Sequence, residues 1–76
     1  MTNQPTAVGL TPLNATIRAE MARRELRQSH VGDAIGLSQA QVSQRLSGAI
    51  DWRATELAAV ADLFGMSVAD LMAGAA

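Results

Sequence analysis

Three glutamines, Gln39, Gln41 and Gln44, lie close together in the chain, with Ala40 and Ser43 between them. A carboxamide carries a donor and an acceptor side by side. It can bond in two-pronged fashion to the N6 and N7 edge of an adenine, for about 1–3 kcal/mol of discrimination. Ala40 and Ser43 are small enough to let such a helix sit deep, and Ala40 could meet a thymine methyl. Ser38 opens the segment, and the unpaired N–H groups of a helix start suit a phosphate. The plainer alternative is a solvated helix face with Gln41 serving only as a capping residue. Solvated faces are usually richer in Lys and Glu than this one.

Other chemistries are poorly served. The chain has no cysteine and a single histidine, His30, so disulfides, thiolate metal sites and a histidine zinc site are excluded. No glycine-rich phosphate loop follows a strand, and no acidic pair needs to share a pocket, so an enzyme is not expected. No cofactor and no small-molecule substrate are expected either. His30 reads as a surface residue near a helix start. The net charge is −1 over 76 residues, but its distribution is uneven. Residues 1–50 hold Arg18, Arg23, Arg24, Arg27 and Arg45 against Glu20, Glu25 and Asp33, a balance of +2. Residues 51–76 hold Arg53 against Asp51, Glu56, Asp62 and Asp70, a balance of −3. A basic half and an acidic half are expected. The start of the chain resembles no targeting segment, and no apolar run approaches the ~20 residues of a membrane helix. A cytoplasmic location is expected.

The elements that must position the glutamines are helical. Residues 1–10, with Pro5 and Gly9, show no periodicity and are expected to form a flexible arm ahead of one domain over 11–76. Thr11-Pro12 signals a helix start, and Leu13, Ile17 and Met21 give a stripe for a helix over about 12–26. A second helix is expected over about 28–35, with Val31, Ala34 and Ile35 inward and Gly36 ending it. Ser38-Gln39-Ala40-Gln41 is a capping-box pattern opening a third helix, in which Val42 and Leu46 are apolar and Gly48 is the stop. A loop with Asp51 as cap precedes a fourth helix over about 54–64, carrying Leu57, Val60, Ala61 and Phe64 inward. A fifth spans about 67–73. Met21, Met66 and Met72 read as gap-filling core residues. Trp52 either closes over the core or anchors an interface, and the lid is favoured. No run alternates with the period of a strand.

The link Gly36-Leu37-Ser38 is too short for helices 2 and 3 to lie side by side, so a crossing near 90–120° is expected. Gly32 should let helix 3 approach helix 2, and Val42 should pack on Val31 and Ile35. The glutamine face then turns outward. From Gln28 to Gly48 the sequence, QSHVGDAIGLSQAQVSQRLSG, resembles the helix-turn-helix of the Cro/phage-repressor (XRE-like) family, and the resemblance continues through Glu56 to Ser67, ELAAVADLFGMS. It covers roughly residues 13–72.

The resemblance implies an all-α, compact five-helix lambda-repressor-like domain whose third helix, about 38–47, reads the major groove of double-stranded DNA. It implies that Gln39, Ala40, Gln41 and Gln44 read bases, with Ser43 a secondary candidate. It puts Gln28 on the backbone or a flanking base, and Ser38, Arg27, Arg45 and Arg53 on the backbone. It further implies a transcriptional repressor acting as a homodimer, at least on DNA, over palindromic half-sites one turn apart, ~34 Å. The sequence departs from the family pattern at Gly32, more often Ala; at Glu25, commonly Gly; at Arg27, usually a Ser or Asn cap; and at Arg45, often a large apolar residue. The competing reading is a helical protein–protein interaction module, antitoxin-like or an adaptor, docking a partner through Val68, Leu71 and Met72.

Overall fold

Thr11 starts the first helix as anticipated: its Oγ1 accepts from the Asn14 N–H at 3.3 Å, and Pro12 fills the first helical position. The computed structural model describes residues 11–74 and contains five helices: α1 (Pro12–Arg23), α2 (Gln28–Ile35), α3 (Gln39–Leu46), α4 (Ala54–Leu63) and α5 (Val68–Ala73). No strand occurs among the described residues. The expected arm, residues 1–10, lies outside them.

Helix α1 stops three residues short of the expected end. Glu25 adopts a left-handed φ of 54°, and the Leu26 N–H returns to the Met21 carbonyl at 2.9 Å. This closure satisfies the last carbonyls and tucks Leu26 beneath the helix instead of extending it. The same device ends α4, where Gly65 at φ 69° lets the Met66 N–H reach the Ala61 carbonyl at 2.9 Å. After α2, Gly36 at φ 82° sends the Leu37 N–H to the Gly32 carbonyl at 2.9 Å. A Cβ on Gly32 would stand only 2.4 Å from the Leu37 carbonyl oxygen. Gly32 thus makes room for the interhelical link, where helix α3 itself was expected.

The core is built from Ile17 and Met21 of α1, Val31 of α2, Val42 and Leu46 of α3, Val60 and Ala61 of α4, then Phe64 and Leu71. Burying each Val, Leu or Ile side chain contributes about 1.5–3 kcal/mol, so Val42 and Leu46 hold α3 firmly by one side. Helix α3 packs on α2 and α1, while α4 packs on α2 and α5. Of the positions expected inward, Leu13 and Leu57 pack against the core, while Ala34 and Met72 do not. Ala34 is exposed, Leu13 and Leu57 are only half-buried, and Met72 is 45% exposed. The buried stripe of α1 is Asn14, Ile17 and Met21, and Glu56 of α4 lies inside.

Arg18 of α1 and Arg24, the residue that caps α1, close the ends of other helices. Arg18 Nη2 donates to the Leu46 carbonyl of α3 at 3.2 Å. Arg24 Nη2 donates to the Phe64 carbonyl after α4 at 2.7 Å, with its guanidinium 4.9 Å from the Phe64 ring centre. Cations at helix C-termini each stabilise by about 0.3–1 kcal/mol. Arg23 and Arg24 also pair with Glu20, whose carboxyl is held below its usual range, first by the bond from Arg24. Arg18, Arg24 and Arg45, three of the five arginines of the first fifty residues, thus fasten one element to another.

Candidate nucleic-acid interface

Helix α3 begins with a reciprocal cap. Ser38 Oγ accepts from the Gln41 N–H at 3.1 Å, and Gln41 Oε1 accepts from the Ser38 N–H at 2.9 Å. Two otherwise unpaired donors are satisfied, so this end of the helix is firm. The cap commits the Gln41 amide oxygen and leaves its N–H₂ to donate. Gln39, Ala40 and Gln44 are exposed, and Ser43 is half-buried beside them. With Val42 and Leu46 fully buried on the opposite side, the amide-bearing face of α3 points away from the core.

Gln39 is tied to the start of α2. Its Nε2 donates to Gln28 Oε1 at 2.7 Å. This bond fixes which way the amide faces, leaving the Gln39 oxygen and one remaining N–H as an adjacent acceptor and donor. That is the pair an adenine edge requires. The Gln44 side chain makes no hydrogen bond among the described residues, so its whole amide is available.

The cations sort into two groups. Arg27 and Arg53 are exposed, stand at the N-caps of α2 and α4, and form no ion pair among the described residues. At α2 the cap runs from the Arg27 N–H to His30 Nδ1 at 3.1 Å, because a guanidinium has no lone pair to offer a backbone N–H. At α4 the Arg53 N–H donates to Glu56 Oε1 at 3.0 Å, so Glu56 and not Asp51 secures this start.

Arg45, expected on the DNA backbone, is 6% exposed and faces inward. Its Nε and Nη2 donate to the two oxygens of Glu56 at 3.2 Å each, and its Nη1 donates to the Gln41 carbonyl at 3.4 Å. A buried guanidinium must be paired, and here the pairing removes it from the surface. The bond from Arg45 holds the Glu56 carboxyl below its usual range, against the upward push of burial. Asn14 was absent from the sequence expectations. Its Nδ2 donates to the Arg45 carbonyl at 3.0 Å, and its Oδ1 accepts from Trp52 Nε1 at 2.7 Å. The clue was Asn14 itself, three residues before Ile17 and seven before Met21. Trp52 closes over this corner, as a lid does. Leu71, part of the competing docking surface, is fully buried; Val68 and Met72 remain exposed on α5.

Among the described residues no cluster of acidic or histidine side chains could hold a metal, and no helix is long and apolar enough to cross a membrane. Two short helices crossing through a glycine turn, with a capped and polar-faced second helix, define a helix-turn-helix domain. The Cro/C1-type HTH DNA-binding domain model matches residues 16–73, and the chain belongs to that family. The clp gene regulator ClgR from C. glutamicum has a similar crystal structure, with a TM-score of 0.77 and 24% identity over 93% of this chain and 91% of that one. That likeness bears on the fold. Among the curated proteins none matches the chain.

Proposed function

We propose that the protein is a sequence-specific transcription regulator, a repressor of the Cro type, that seats α3 in the major groove of duplex DNA. Gln39 and Gln44 read adenine edges, and Ala40 lies against a thymine methyl. Gln41 donates to a base acceptor through its free N–H₂, with Ser43 as a secondary contact. Gln28, Ser38, Arg27 and Arg53 grip phosphates on either side and set the register. Arg45 has no part in this set because its charge is already matched by Glu56.

The observation that carries the reading is the Gln39–Gln28 bond on an otherwise exposed face. An amide held in one orientation presents a fixed donor and acceptor, which is of use to a partner with a matching edge. The protein acts as a homodimer on a palindromic operator, in a bacterial cytoplasm or a phage-infected host. The neighbouring fold of a gene regulator, ClgR, supports the regulatory assignment.

Selection of bound sequences from a random duplex pool tests this. The expected result is a palindromic motif with half-sites one helical turn apart, ~34 Å, and adenines at two fixed positions in each. Recovery of no motif, or binding indifferent to salt, would sink it, since phosphate contacts release counterions and must weaken as salt rises.

A further inference from the structure

We infer that Glu56 is a positioning residue for DNA recognition, holding the base-reading helix and the phosphate-facing start of α4 in one register. The inference rests on the DNA reading above and adds a residue that touches no nucleic acid. Helices α3 and α4 each pack closely on α2 and approach one another less closely. The side chains of Arg45 and Glu56 span the gap between them. Glu56 receives three N–H donors on its two oxygens: Arg45 Nε at 3.2 Å and the Arg53 N–H at 3.0 Å on Oε1, and Arg45 Nη2 at 3.2 Å on Oε2. One carboxylate therefore clasps the side chain of α3 and the backbone of the residue that carries the free Arg53 cation.

The register matters because base and phosphate contacts lie on separate elements. Gln44 is the residue before Arg45, and Arg53 is the cap of α4. A fork-to-fork pair fixes distance and plane together, which a single-point contact does not. The far side of the same turn is also held. Asn14 grips the Arg45 carbonyl, and Arg18 grips that of Leu46. With the pair intact, Arg53 can meet its phosphate only when the glutamines are at the bases. Without it, α4 retains its packing on α2 and α5 but its start is free to shift relative to α3.

The test compares the wild-type chain, Glu56→Gln, and the double variant Arg45→Met with Glu56→Leu. Probes are the duplex recovered by pool selection and a scrambled duplex of equal length, titrated over a range of salt. The double variant matters because an apolar pair can restore the stability that an unpaired buried charge removes. Helical content by circular dichroism confirms folding in each case. The expected result is a folded variant whose preference for the selected duplex falls by about tenfold or more. Its salt slope should also fall by about one phosphate. A folded variant with the wild-type preference and slope overturns the inference and leaves the DNA reading standing. Failure of the wild-type chain to bind any duplex overturns both. If Glu56→Gln does not fold, the double variant decides on the same two criteria.

Discussion

The indole N–H of Trp52 donates to Oδ1 of Asn14 at 2.7 Å, joining the loop after α3 to the first turn of α1. The amide of Asn14 passes the connection on to the Arg45 carbonyl at 3.0 Å. Asn14→Leu fills the space but leaves an indole N–H and a carbonyl unpaired. Each such group costs about 1–3 kcal/mol when buried. We expect a loss of about 2–4 kcal/mol in urea unfolding, followed through the fluorescence of Trp52, the chain's one tryptophan. A loss within error of zero would show that solvent satisfies both groups.

Gln28→Ala removes the acceptor that orients Gln39. Affinity for the selected duplex should fall most, with a smaller loss on scrambled DNA from the missing phosphate contact. Gln44→Ala should cost more, about 1–3 kcal/mol of discrimination, because both halves of its amide are free for a base. Equal losses on both duplexes, measured by fluorescence anisotropy, would remove these residues from the base-reading set.

Arg53→Ala and Arg45→Ala should part company. The first deletes an exposed cation and is expected to weaken both duplexes alike, lowering the salt slope by about one. The second breaks a buried pair and leaves the Glu56 carboxylate unmatched, a defect of about 3–5 kcal/mol in stability. Urea unfolding and salt titration of the two variants separate a phosphate contact from a fold contact. An unchanged slope for Arg53→Ala would strike it from the backbone set.

Backbone geometry gives a pair of opposite expectations. Glu25 sits at φ 54°, a region that costs a non-glycine residue about 1–2 kcal/mol. Glu25→Gly should raise the melting temperature. Gly32→Ala, although it improves helix propensity by about 1 kcal/mol, drives a Cβ to 2.4 Å from the Leu37 carbonyl oxygen. Overpacking of that kind costs about 1–3 kcal/mol, so the net effect should be a lower melting temperature. A more stable Gly32→Ala variant would show that the turn can move aside.

Acid should loosen the Arg45–Glu56 junction. The folded Glu56 carboxyl titrates below its ordinary value of 4.5, chiefly because Arg45 donates to it. Its stabilisation is fully present above that ordinary value and is lost as the pH falls through the lower, folded value. Urea midpoints from neutral pH down to pH ~3 should converge for wild type and Glu56→Gln, since the variant has no carboxylate there to protonate. Parallel curves would mean that the pair contributes nothing to the acid sensitivity.

Much of this was legible in the chain. Ser38 and Gln41 announced the capping box three residues apart, Gly36 and Gly65 marked left-handed turns, and Val42 with Leu46 declared which side of α3 is buried. These are local signals, read from neighbours in sequence. The errors share one feature. Leu26 fell within the expected span of α1 yet folded under it, because the Glu25 turn ended the helix. Arg45 looked like a surface cation because its partner Glu56 lies eleven residues away on another helix. Leu71 and Met72 looked alike as apolar neighbours, and only the direction of α5 decided that one is buried and the other exposed.

The helical segments, the turn between the second and third, and the polar face of the third could be read along the chain, since each depends on contacts within a few residues. Tertiary structure alone decided the fate of the charges. Arg18, Arg24 and Arg45 were drawn to carbonyls and a carboxylate on distant helices, and Arg27 and Arg53 were left at the surface. An arginine's role depends on which acceptor it can reach, and that distance exists only once the helices have packed.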